Sequence, residues 1–238
     1  MAKVYFTWDD GCTTDLKLFE LHRKYNIPGL FFVPNYNREG RPVLTEDQIR
    51  DNYSKLIKFG GHTQNHIYLT ELDMARAEKE VKINQEYLEA IIGEPIRHFC
   101  FPGGMYNSKL MSMVFKYFNT ARTVDTVVMN SKGPLIKPSF HIYPRGKKSL
   151  IFNSIRNKNW QAMWYFISHL KLGYFDLIFG YVERLIESET ECNIIIWGHS
   201  WEIDELDLWL EIEKIFTMLS NKYPTAIASY DDIFEEVE

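Results

Sequence analysis

With 238 residues and 45% apolar content, the chain is long enough to bury one sizeable core, and a net charge of −5 argues against nucleic acid as its main partner. The most apolar region, Phe166 to Val182, is broken by His169, Lys171 and Asp176, so no transmembrane segment is expected. Cys12, Cys100 and Cys192 are odd in number and lack close pairing, and no charged-then-apolar leader precedes the first strand; free thiols and a cytoplasmic location are the expectation.

Taken in chain order, short apolar runs alternate with longer amphipathic ones. Strands are predicted over Lys3 to Thr7, Gly29 to Val33, Phe59 to Gly61, Ile96 to Phe101, Thr120 to Thr123, Asn193 to Trp197 and Thr225 to Ser229. Between them fall predicted helices over Thr13 to Tyr25, Thr45 to Lys58, Thr70 to Ile92 (with Gly93 as its stop), Asn107 to Tyr117 and Ile203 to Asn221. Strand–helix alternation implies an α/β fold with a parallel sheet or a barrel, in which a site sits at the carboxyl ends of strands. Residues 146–188 break the rhythm. They read as a helical, aromatic-rich insertion that either packs on the core or serves as a dimer face, a lid or a surface for a lipid-linked substrate. A homo-oligomer is left open by this reading.

The polar constellations sit at predicted strand ends. Asp9-Asp10-Gly11 follows the first strand, where one carboxylate can ligate a metal while its neighbour stays free as a base. His62 and His66 are four apart, a spacing that on a helical turn brings both imidazoles to one ion. With one carboxylate they form a two-histidine, one-acid set that leaves positions for water and substrate. Gly103 and Gly104, after Phe101-Pro102, expose backbone N–H groups that can hold a developing oxyanion. His199 ends an apolar strand and is a candidate general acid.

Thr7-Trp8-Asp9-Asp10-Gly11, then His62-Thr63-x-x-His66, then Phe101-Pro102-Gly103-Gly104, then Ile195-x-x-Gly198-His199 resembles, in order and spacing, the polysaccharide deacetylases of the NodB-homology group, carbohydrate esterase family 4. The resemblance covers most of the chain and implies one deacetylase domain over 1–238, built as a distorted (β/α) barrel of seven strands. It implies one divalent metal on Asp10, His62 and His66, with Zn²⁺ favoured over Co²⁺, Ni²⁺ or Fe²⁺. It assigns Asp9 as general base, His199 as general acid and a backbone amide at Gly104 or its neighbour to the oxyanion. The family's arginine two residues before the proline is replaced here by Cys100. Arg145 is similar to a downstream Pro-Arg of some relatives and is a candidate for the missing charge, and Trp201 for lining the sugar site.

The function expected from the sequence is metal-dependent removal of an N-acyl group, acetyl or formyl, from an amino sugar. The expected cytoplasmic location points to a nucleotide- or lipid-linked precursor of a surface polysaccharide. Two alternatives are a non-catalytic carbohydrate-binding protein that has kept the deacetylase fold, and a two-histidine, one-carboxylate iron oxygenase, which would require a double-sheet jelly roll.

Overall fold

The protein is described here by a computed structural model covering residues 1–131 and 133–235. The strands are β1 (Lys3–Asp9), β2 (Gly29–Val33), β3 (Ile57–Gly61), β4 (His98–Cys100), β5 (Thr120–Arg122), β6 (Leu135–Ile136), β7 (Phe140–His141) and β8 (Asn193–His199). They form one sheet in the order β6-β5-β4-β3-β2-β1-β8-β7, with every neighbouring pair parallel. The sheet therefore has eight strands, not the seven expected. β6 and β7 escape a sequence reading because two residues carry no alternation pattern.

β6 and β7 lie at opposite edges and do not pair, so hydrogen bonds do not close a barrel. Only residues 137–139 join them. Such a link spans at most roughly 14 Å between its flanking residues, so the sheet must curl until its two edges nearly meet. The single curled parallel sheet also rules out the jelly roll that the oxygenase alternative required.

The curl sorts side chains by strand parity. Val4, Phe6 and Trp8 face the helices and join the main core, whereas Tyr5, Leu30, Phe32, Cys100, Ile136 and Ile195 face inward. Thr225 to Ser229 is not a strand. Pro224–Ala226 forms a 3₁₀ turn, Ile227 makes one isolated bridge to Val4, and Ala228, Tyr230 and Ile233 complete the inner core. The apolar spacing that suggested a strand serves as a plug.

The helices are α1 (Asp15–Tyr25), α2 (Glu46–Asn52), α3 (Met74–Ile92), α4 (Ser108–Val114), α5 (Lys147–Arg156), α6 (Trp160–Ser168), α7 (Tyr174–Glu187), α8 (Ser200–Glu205), α9 (Trp209–Lys222) and α10 (Asp232–Glu235). α2 starts at a Thr45–Gln48 capping box but stops six residues earlier than predicted, because Ile57 and Phe59 are needed in β3. α3 is capped by Asp73, not Thr70, and ends at Gly93. The helix expected over Ile203 to Asn221 is broken between Glu205 and Trp209, where Asp207 is left-handed. The stretch 146–188 holds three helices, α5, α6 and α7.

One buried histidine ties α1 to the sheet. His22 accepts a hydrogen bond from Trp8 Nε1 at 2.7 Å through Nε2, and its Nδ1 lies 2.7 Å from Ile27 O, to which it donates. A proton on Nε2 would face the indole N–H, and burial holds the His22 pKa down to about 4 from 6.5. Between those values the unfolded chain binds a proton that the folded one refuses, so stability present above pH 6.5 falls as pH drops. His22 alone is expected to contribute about 3 kcal/mol to this acid lability. Urea titrations of wild type and His22→Gln from pH 7 to 4.5 check it: the variant starts less stable but loses less on acidification.

Candidate active site

β1 and β8 are paired in register so that Asp9 lies opposite His199. The ladder that builds the centre of the sheet thus sets a carboxylate beside an imidazole at its carboxyl rim. β3 delivers His62 to the same rim from the other side of β2. His66 follows in a loop, not on the helical turn that the spacing suggested: Thr63 and His66 have φ of 66° and 52°. Asp10 is left-handed too, with φ 76°. Side chains with a Cβ seldom occupy this region, and each such residue costs of order 1–3 kcal/mol. The strain is held by the surroundings. Asn84 on α3 accepts from His62 N at 2.7 Å and donates to Val33 O at 2.9 Å, and Glu80 accepts from Asn65 N and Nδ2. α3 therefore clamps the histidine loop by its backbone.

Asp10, His62 and His66 converge. Asp10 Oδ1 lies 3.4 Å from His62 Nε2 and 3.0 Å from His66 Nε2, and all three residues are buried. His62 Nδ1 sits 2.8 Å from Cys100 O, to which it donates, so Nε2 presents its lone pair inward. Donors at 2.0–2.2 Å from a tetrahedral ion are about 3.3–3.6 Å apart, and the observed separations come close to that. The chemistry and spacing of the set fit a divalent cation. Trp201 donates from Nε1 to the other oxygen, Asp10 Oδ2, at 2.8 Å, while Arg41 stacks on its ring. Burial alone would raise the Asp10 pKa, but the His199 charge and the neighbouring His62 and His66 imidazoles hold it well below the usual carboxylate range.

Asp9 is buried beside this set and paired with Arg122, a residue the sequence reading passed over. Arg122 ends β5 and is fully buried. It donates to Thr123 O at 2.8 Å and to Cys100 Sγ at 3.1 Å, and packs its guanidinium over the Trp197 ring. Cys100 and Arg122 are register partners across β4 and β5. The charge expected at position 100 thus arrives from the adjacent strand at the same height. Arg145 does not supply it, being exposed in the wall of a neighbouring cavity. A buried-looking strand that ends in arginine at the catalytic rim was the available signal. Burial works against the Asp9 charge, yet Arg122, His62 and His199 together lower its pKa, so the carboxylate is ionised at neutral pH.

His199 is fixed by Glu202 on α8, whose Oε2 lies 2.7 Å from His199 Nδ1 and 3.0 Å from Nε2 of buried His141. The other nitrogen, Nε2, turns toward Asp9 Oδ2 at 4.0 Å. Burial would lower the His199 pKa, but Asp10, Glu202 and Asp9 raise it to about 9. Burial instead carries His141 down to about 4, and it stacks flat on Trp197 with ring centroids 3.8 Å apart. Glu202 is held down to about 2 against its own burial by hydrogen bonds from both histidines. An ionised carboxylate and a protonated imidazole thus flank the three-donor set at neutral pH.

After β4 the chain makes a tight turn at Pro102–Gly104 in which Gly103 and Gly104 have φ of 60° and 65°. Gly104 N donates to Phe101 O at 2.8 Å, whereas Gly103 N–H has no hydrogen-bond partner among the described residues. Both glycines line a cavity of about 480 Å³ together with His141, Lys137, Arg145 and Arg156.

The sequence model described as polysaccharide deacetylase matches residues 2–117. The peptidoglycan-N-acetylglucosamine deacetylase of Bacillus cereus is 26% identical over 106 residues, which is 44% of this chain and 47% of that protein, so the match spans about half of that relative's length. Among solved structures, the family 4 carbohydrate esterase from Streptomyces lividans in complex with acetate superposes with a TM-score of 0.58 at 19% identity, covering 96% of this chain and 91% of that one. The carbohydrate esterase family 4 domain of a multidomain xylanase from the hindgut metagenome of Trinervitermes trinervoides gives 0.59 at 13% identity, covering 99% and 91%. The structural likenesses carry the fold, and over residues 2–117, just under half of this chain, the sequence is similar to the polysaccharide deacetylases.

Proposed function

We propose that the protein is a metal-dependent hydrolase that removes an N-acyl group, acetyl or formyl, from an amino sugar of a surface-polysaccharide precursor. The observation that carries this reading is the convergence of Asp10, His62 and His66, with Asp9 and His199 on either side. Asp10, His62 and His66 would hold one divalent cation, for which Zn²⁺ suits the donor set. When bound it would polarise the acyl carbonyl and lower the pKa of water.

The chain's own residues supply the rest. Ionised Asp9, oriented by Arg122, takes a proton as water attacks the acyl carbon. Gly103 N–H is the free donor for the oxyanion, a contribution of about 3 kcal/mol for such groups. His199, held by Glu202, gives its Nε2 proton to the nitrogen as the C–N bond breaks, releasing the free amine and the carboxylic acid. Cys100 alone favours the non-catalytic alternative, and Arg122 removes that argument by restoring the charge beside Asp9.

The cavity beside Gly103 supports a phosphate-bearing substrate. The side chains of Lys137, Arg145 and Arg156 line it, and none makes an ion pair or hydrogen bond among the described residues; Asp125, the acid in the wall, accepts from Thr123 Oγ1 instead. A nucleotide- or lipid-diphosphate-linked amino sugar would satisfy these cations. Three buried free thiols accord with a reducing, cytoplasmic setting. Among the described residues no helix is long and apolar enough to cross a membrane.

Metal-stripped protein, reloaded with Zn²⁺, Co²⁺ or Ni²⁺, tests the proposal on acylated sugar nucleotides, lipid-diphosphate-linked sugars, chitin and peptidoglycan fragments. Acetate or formate release is expected only after reloading, and faster from the phosphate-bearing substrates. No release from any of them with metal bound would leave a sugar-binding protein as the better reading.

A further inference from the structure

The chain segregates its charge. From residue 126 to residue 175 there are eight Lys and Arg and no Asp or Glu, within a protein of net charge −5. The longest consecutive basic run in that stretch is Lys147-Lys148, which is why a sequence scan for basic motifs passes over it. The signal is the absence of acids over 50 residues.

α5 and α6 form a helical hairpin inside this region, joined by Asn157, Lys158 and Asn159. Lys147 Nζ donates to Leu170 O and Leu172 O at 2.8 and 2.7 Å, which locks the start of α5 onto the end of α6. The inner stripe of α6, Ala162 and Phe166, is buried. Its outer stripe at i, i+4 and i+7 is Trp160, Trp164 and Ile167, and Phe152 and Ile155 stand out from α5. Phe152 and Trp164 are 66% and 65% exposed, values that a soluble surface seldom gives to large aromatics in a contiguous group. Leu170 and Leu172 continue the exposed apolar edge. Exposed Lys148 and Arg156 lie on α5, Lys158 lies in the connection to α6, and exposed Lys171 follows α6.

We propose that this hairpin seats the protein on an anionic lipid bilayer. A helical pair with aromatic and aliphatic side chains outward, in a stretch whose charged residues are all cations, suits the boundary between head groups and acyl chains. The aromatics enter the interface while the lysines and arginines meet lipid phosphates. A second copy of the same face would be repelled by its like charges, and a water-exposed role would not need the tryptophans. The charge complementarity therefore selects an anionic membrane as the occupant. The proposal goes beyond the deacetylase reading and does not depend on it. If both hold, α5 links them, because Ser149, Asn153 and Arg156 on this helix line the cavity beside Gly103.

The test is flotation of the full chain with vesicles of phosphatidylcholine alone or mixed with phosphatidylglycerol, read without any turnover. Partition is expected to be about tenfold or more stronger to the mixed vesicles and to fall with added salt. Phe152→Ser with Trp164→Ser, and separately Lys148→Glu with Lys158→Glu, should each weaken it by about tenfold. All four residues are solvent-facing, so thermal unfolding should be unchanged, which separates lost docking from lost folding. Failure to float, or binding that ignores both double variants, overturns the proposal. So does light scattering that finds a stable dimer which Phe152→Ser with Trp164→Ser dissociates, since a second copy would then own the face.

Discussion

Arg122→Met is expected to remove most of the activity and about 3–5 kcal/mol of stability, because it leaves the Asp9 carboxylate buried with no guanidinium beside it. Urea unfolding and kcat measured on the same preparation check both parts. The more discriminating variant moves the charge instead of deleting it. Cys100 and Arg122 face each other across β4 and β5, and the Cys100 thiol already lies 3.6 Å from Asp9 Oδ2. Cys100→Arg with Arg122→Cys should therefore recover a large share of both activity and stability relative to Arg122→Met. Cys100→Arg alone should be worse than wild type, since two guanidiniums would crowd one carboxylate in a packed interior. If the exchange restores nothing, Arg122 serves more than the orientation of Asp9, and its contacts with Trp197 and Thr123 become the place to look.

Asp9→Asn is expected to lower kcat by roughly 10²–10⁴ while leaving bound metal unchanged, because Asp9 lies outside the set formed by Asp10, His62 and His66. An asparagine keeps the shape and one oxygen acceptor for Arg122, but its amide nitrogen cannot accept from the guanidinium and the side chain cannot take the proton of the attacking water. The variant also removes the counter-charge of a buried guanidinium, so some loss of stability will accompany it. The decisive comparison is turnover per folded, metal-loaded molecule, with elemental analysis giving the metal content. Wild-type turnover in that variant would remove Asp9 from the proposed mechanism.

Much of this site could be read from the chain before any coordinates. Asp9, Asp10, His62 and His199 stand at the ends of strands whose apolar runs are long enough to recognise, and a parallel sheet brings such ends to one rim. His66 was placed by spacing for the wrong geometric reason: its ring reaches Asp10 through a strained loop clamped by α3. Arg122 went unread because an arginine at the end of a three-residue strand is a weak mark by itself. Its importance comes from lying opposite Cys100, a relation that exists only once β4 and β5 are paired. Glu202 and His141 were missed for the same reason, as their bond joins residues 61 positions apart. The seven-strand expectation failed on elements of two residues, which hold their place by tertiary hydrogen bonds such as Ser139 N to Ile195 O and Thr123 N to Ile136 O. At the carboxyl end, an apolar spacing suited equally to a strand and to a plug took the second form because the inner face of the curl needed filling.

The pairing of Asp9 with His199 between two adjacent central strands has an evolutionary consequence. Neighbouring strands are held about 4.8 Å apart by the ladder itself, so the distance between proton acceptor and proton donor is a property of the scaffold. Segments outside the ladder, such as residues 143–159, do not set this distance. Under the proposed function, substrate recognition at the periphery can therefore change while the spacing of Asp9 and His199 is kept.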